Sequence, residues 1–194
     1  MGKRDRQRVR YQLDSTGVKN LAGPEIAAIL RAADEMIGAG GRTQLSRVLK
    51  GSREKVIFEH GLDLCPSYGF YRELPIDEIL RRIDWMIEND YLRIIYNGRL
   101  PVVVFTERGW AIEVEKRAEE LVGMFEARLD HGPPYDFSEL KDRNRQMIFL
   151  FLDKLEASGR PEFKPLLEAW AEIDYAKVRA RIARVIRTLT APPS

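Results

Sequence analysis

A chain of 194 residues with 44% hydrophobic and 32% charged residues has the balance of one folded domain or two small ones and excludes a disordered segment. Its net charge of +2 is too small to mark a polyanion binder by itself, so the distribution of charge carries the information. The single cysteine, Cys65, excludes an internal disulfide and a multi-thiolate zinc site, and no apolar run approaches a membrane span or a secretory signal, so a cytoplasmic protein is expected.

Lys3, Arg4, Arg6, Arg8, Arg10 and Lys19 crowd the first twenty residues, which read as a basic arm. The alternation of Val9, Tyr11 and Leu13 suggests a short strand within it. From Pro24, a favoured first-turn residue, Ile26, Ile29, Leu30, Ala33 and Ile37 recur at helical spacing until Gly38, Gly40 and Gly41 stop the helix. Residues 43–50 form a short helix with Leu45, Val48 and Leu49 inward, closed by Gly51. Ser52 fits the N-cap of a helix over 53–60 that Gly61 ends. A loop over 64–70 leads to a helix opened by Pro75, with Ile76, Ile79, Leu80, Ile83, Met86 and Ile87 as its buried stripe.

The period then changes. Residues 91–96 and 100–106 are rich in β-branched and aromatic side chains and flank Asn97-Gly98, a strong hairpin signal. Short helices followed by a hairpin describe a winged helix, with the hairpin as the wing. Beyond Trp110 the chain returns to helix: one long segment broken at His131-Gly-Pro-Pro134, then stretches over 137–157, 162–171 and 174–189. The expected fold is mainly α with a small β-hairpin wing: an arm over 1–20, a winged helix over 21–115 and a C-terminal helical region over 116–194.

Several linked motifs stand in one order. Gly41-Arg-Thr-Gln-Leu-Ser-Arg-Val-Leu-Lys-Gly-Ser52 is followed by His60-Gly-Leu-Asp, Pro66-Ser-Tyr-Gly69, Ile83-Asp-Trp-Met-Ile-Glu-Asn-Asp-Tyr-Leu92 and Phe105-Thr-Glu-Arg-Gly109. Residues 24–110 thereby resemble the RecQ C-terminal (RQC) domain. RecQ helicases also carry two ATPase lobes and a cysteine-rich zinc subdomain. With no Walker A motif and one cysteine, the chain looks like the stand-alone minor RQC type. The resemblance implies that the loop after the 43–50 helix binds phosphate, that the 76–87 helix approaches the duplex, and that the wing meets a duplex end or fork.

Chemistry at those positions is consistent with that expectation. Gly51 permits close backbone approach, Ser52 offers a hydroxyl, and Arg42, Lys50, Arg53 and Lys55 add charge. Arg81, Arg82 and Trp85 are expected on the outer side of the 76–87 helix, but Asp77, Glu78, Asp84 and Glu88 share it, which makes a poor groove reader. At the wing tip, alternation leaves Tyr96 or Arg99 free to reach outward and Leu100 able to wedge a base pair, with packing on the sheet as the other place for Tyr96. Lys177, Arg181 and Arg184 share a stripe of the last helix, fitting either a second phosphate surface or a solvated face. His60, His131 and Cys65 form no catalytic constellation, so neither enzymatic activity nor a cofactor is expected.

The function expected is recognition of forked, ended or otherwise structured DNA by a nucleoid-associated protein in repair or replication. Two alternatives stand beside it: a winged-helix transcriptional regulator, and an adaptor docking on a helicase or repair factor.

Overall fold

The structure, a computed structural model, describes residues 10–191. Lys3, Arg4, Arg6 and Arg8 of the basic arm, and Val9 of its expected strand, lie outside the described residues. The chain divides into two compact units between Glu113 and Val114.

The first unit is a winged helix. It contains α1 (Gly23–Asp34), α2 (Arg42–Lys50), α3 (Lys55–Glu59), α4 (Ile76–Glu88), β1 (Leu92–Asn97), β2 (Leu100–Phe105) and the start of α5 (Glu107–His131). Pro24 stands in the first turn of α1, and the Glu25 carboxylate accepts from the Ala22 amide at 2.9 Å. This helix stops at Asp34 and does not reach Ile37. Its interior packs Ile29, Leu30 and Ala33 against Leu45, Val48 and Leu49 of α2 and Ile79, Ile83 and Met86 of α4, all essentially buried.

The glycines after α1 do more than end a helix. Gly38 donates to the Val103 carbonyl at 3.0 Å and the Val103 amide donates to Gly40 at 2.9 Å, so this loop pairs with the outer edge of β2. A side chain at Gly41 would meet the Pro101 carbonyl at 2.8 Å, which makes glycine a packing requirement there. β1 and β2 pair antiparallel from Leu92↔Phe105 to Asn97↔Leu100. The tip is therefore the pair Gly98-Arg99 and not Asn97-Gly98. Only Gly98 takes a positive φ, 63°, the pattern of a two-residue loop with glycine first.

Three further expectations change. No strand forms over residues 10–13; instead the following residues lie along α4, with the Asp14 amide donating to Asp84 at 2.9 Å and Ser15 to Glu88 at 2.5 Å. The 53–60 helix shortens to α3, whose N-cap is Glu54 and not Ser52. The reason is that Ser52 still belongs to the closure of α2: its amide donates to the Arg47 carbonyl at 2.9 Å while Gly51 turns left-handed at φ 74°. In the C-terminal region, residues 137–144 hold only a short 3-10 turn at Ser138–Leu140 before helix begins.

The second unit contains the rest of α5, then α6 (Arg145–Ser158), α7 (Lys164–Ile173) and α8 (Ala176–Thr190). Asn144 caps α6 by accepting from the Gln146 and Met147 amides, and Gly159 ends it with φ 63°. Phe125, Phe137, Phe151, Phe163 and Trp170 form a buried aromatic core, with Phe125 edge-on to Phe151 at 4.8 Å. The Trp170 ring N–H reaches Asp174 at 2.7 Å. No helix among the described residues is long and apolar enough to cross a membrane.

Candidate nucleic-acid interface

Two features of the winged helix present cations to solvent: a cleft beside the α2–α3 junction and the wing tip. The cleft, about 860 Å³, lies between that junction and the 65–72 loop. The loop is strapped to the end of α2, because the Gly69 amide donates to Val48 at 2.9 Å and the Tyr71 amide to Leu49 at 2.8 Å. Gly51 and Gly69 pass so closely that a side chain on Gly51 would stand 3.1 Å from the Gly69 Cα. Arg72 is brought to the cleft by this strap, where it joins Arg47, Arg53 and Phe58.

The sequence-expected residues divide sharply by their partners. Arg53 is exposed with no ion pair among the described residues. Arg72, which the sequence did not single out, is likewise exposed and unpaired among them. By contrast, the Lys50 ammonium donates to the Arg72 and Leu74 carbonyls, at 2.5 and 2.9 Å, and so clamps the strap. Ser52 exchanges contacts with Glu54, and its carbonyl accepts from the Tyr68 hydroxyl at 2.9 Å. Lys55 pairs with Glu59 at 2.9 Å along α3, and Arg47 pairs with Glu54 at 3.1 Å. Glu54 and Asp63 also line the cleft, so its charge is mixed.

Arg42 lies elsewhere. Its guanidinium meets the buried Asp84 carboxylate at 2.5 Å and neutralises a charge on α4 that would otherwise be costly to bury. On α4, Trp85 is buried, contrary to its expected outward position. The chain reverses at Asp90, where φ is 60°, and lays Tyr91 on the indole at 5.9 Å. Arg82 is held between Glu25 and Glu78, at 3.5 and 3.4 Å, and lies over the Tyr71 ring. Burial pushes the Tyr71 hydroxyl well above its ordinary range, and its hydrogen bond to Glu25 at 2.9 Å adds to the shift. Arg81 is more open, 3.8 Å from Asp14. Asp77 and Glu88 are exposed on the same helix, which leaves little positive surface for a groove.

The wing tip is the second feature. Arg99 is exposed and unpaired among the described residues, and Leu100 is 63% exposed beside it. Tyr96 is half-buried, 6.2 Å from the Tyr11 ring, so it packs more than it projects. Arg93 is a further exposed cation on β1 that the hairpin pattern did not single out. Alternation of in and out along the strand was the signal available for it.

The Phe105-Thr-Glu-Arg-Gly109 motif turns out to be structural. Thr106 donates to the Asp90 or Tyr91 carbonyl and accepts from the Gly109 amide at 3.1 Å, capping α5. A side chain on Gly109 would stand 2.0 Å from the Tyr91 carbonyl oxygen. Arg108 then lies over the Tyr91 ring at 4.0 Å. Cys65 is buried, and burial raises its thiol above the ordinary value, so it is a small core side chain and not a nucleophile.

Comparison with known proteins agrees with this geometry. The RQC domain pattern matches residues 24–123, half of the chain. The ATP-dependent DNA helicase RecQ of Bacillus subtilis (strain 168) is 29% identical over 69 residues, covering 36% of this chain. The chain spans only 12% of that helicase's length. No solved structure matches.

Proposed function

Since the chain belongs to the RQC domain family, we propose that it binds structured DNA through the wing tip and the cleft beneath the 65–72 strap. The observation that carries this reading is the distribution of unpaired cations. Around the winged helix, arginines and lysines on α1, α2 and α4 are mostly bound to carboxylates or carbonyls, whereas Arg53, Arg72, Arg93 and Arg99 face solvent without an acidic partner among the described residues. Free guanidinium groups fit phosphate oxygens. The exposed Leu100 beside Arg99 suits an apolar contact at an unstacked base pair.

The buried Trp85 and tethered Arg82 argue against α4 as a major-groove reader, and so against a regulator of duplex operators. In this reading the protein acts at the nucleoid in repair or replication, by binding and without a catalytic step. A second reading, docking on a helicase or repair protein, is favoured by Leu64, just before the strap, and Phe70, on it, which are 82% and 46% exposed.

The deciding experiment compares fork, blunt duplex, single-stranded and four-stranded DNA at one fixed salt concentration. Preference for fork or end over continuous duplex supports the reading. Equal weak binding to all four, or none, sinks it.

A further inference from the structure

We propose that the solvent face of α8 is a second surface for the phosphate backbone of nucleic acid, an inference that rests on the reading of the chain as a DNA binder. From Ala176 to Thr190 this helix carries Lys177, Arg179, Arg181, Arg184 and Arg187 and no acidic residue. One of these cations is structural: Arg181 is held by Asp153 and Glu156 of α6 inside the second unit. Arg184 approaches Glu156 only to 3.9 Å and remains 69% exposed. Lys177, Arg179 and Arg187 are exposed with no ion pair among the described residues.

Six cations elsewhere in the second unit behave differently, while Lys141, Arg143 and Arg145 before and at the start of α6 are exposed without an ion pair among the described residues. Lys116, Arg117, Arg128, Lys154, Arg160 and Lys164 each meet a glutamate at 2.5 to 3.7 Å. An ordinary solvated helix mixes signs in this way, since like charges three or four positions apart destabilise it. α8 instead sets Arg184 three residues before Arg187 and uncompensated cations on both flanks of its outer face. Between those flanks stand the exposed Ala176, Ala180 and Ala183. These three alanines carry only a methyl group each, so a backbone can approach the helix closely there. The cations from Lys177 to Arg187 span about 15 Å of helix axis, enough for several phosphates at one per ~3.4 Å of duplex strand. A continuous polyanion is the ligand that relieves such one-signed crowding. Tyr175 immediately precedes the helix, 47% exposed, with the Lys141 ammonium 5.4 Å from its ring centre.

The test uses the full chain and a blunt 20-base-pair duplex as probe, titrated across salt concentrations. The triple variant Lys177→Gln, Arg179→Gln, Arg187→Gln removes three unpaired charges without breaking a described contact. Its log-affinity against log-salt slope is expected to be shallower by about 2–3, with affinity about tenfold weaker at low salt. Its unfolding midpoint should be unchanged or raised. The charge-keeping variant Arg179→Lys, Arg187→Lys should retain the wild-type slope, and a loss there overturns the charge argument. A wild-type slope in the triple variant also overturns the proposal and leaves the winged-helix reading standing. Absence of salt-dependent binding of this duplex by the unaltered protein overturns the proposal, while the comparison of fork, duplex, single-stranded and four-stranded DNA decides the winged-helix reading separately.

Discussion

Arg53 and Arg72 differ from the other cations around the cleft in what they touch. Arg47 is paired with Glu54 and Lys50 is spent on two carbonyls, so the same positive charge performs different work at neighbouring positions. Arg53→Glu together with Arg72→Glu should weaken DNA binding by about 1–3 kcal/mol per position while leaving the unfolding midpoint in place. Lys50→Met should do the reverse. It leaves the Arg72 and Leu74 carbonyls short of a donor, costing about 1–3 kcal/mol of stability, read by denaturant unfolding, with a smaller effect on affinity. Full affinity in the folded arginine pair variant would move the DNA surface off the cleft. Residue identity made the Lys50-Gly51-Ser52-Arg53 junction legible from sequence, but not which of its charges was free. That depends on partners brought by folding, as with Arg42 and Asp84, 42 positions apart, or Arg72, carried in on the strap.

Among the elements, the hairpin was the easiest to read and the α3 region the hardest. Asn97-Gly98 between two β-rich runs marks a turn whatever surrounds it, although pairing moved the tip to Gly98-Arg99. Helix caps are less certain because one serine can serve either the helix before it or the one after, and at Ser52 the closure of α2 won. The wing makes a clear prediction. Arg99→Ala with Leu100→Ala, keeping Gly98, should erase preference for fork or end and leave continuous-duplex binding nearly intact, measured by competition at fixed salt. Equal loss on all substrates would make the tip a phosphate clamp. The α6–α8 contact predicts acid sensitivity. Hydrogen bonds from Thr188 and then Arg181 hold the Glu156 carboxyl below its ordinary 4.5. A depressed folded value stabilises the unit fully above the unfolded value and loses that contribution as pH falls through the folded one. Thr188→Val, which removes the larger cause, should therefore lower stability near neutral pH and leave it unchanged once Glu156 is protonated, so denaturant unfolding of the variant and the unaltered protein should differ at pH 7 and converge in acid.

At the scale of the whole molecule, charge is divided between a winged-helix unit, a helical unit and an N-terminal segment that begins with Lys3, Arg4, Arg6 and Arg8. Deleting residues 1–9 removes those cations and spares the Asp14 and Ser15 contacts with α4. Affinity should fall to a similar degree for every DNA structure, and the salt slope should flatten. A changed order of preference would make the segment a reader of structure. The general architecture was legible because periodicity, glycines and the hairpin signal agree, while the covering of α4 was not, since Tyr91 and residues 14–15 reach it only through the fold. The pairing of Gly38 and Gly40 with Val103 has one more consequence. A strand sheet grows into a fibre only when each copy offers an open border on both sides, one to accept and one to donate. With the loop over 38–40 seated along β2, one border of the wing is already closed within its own chain. Copies of the chain brought close together are thereby kept from zipping wing to wing into an endless stack.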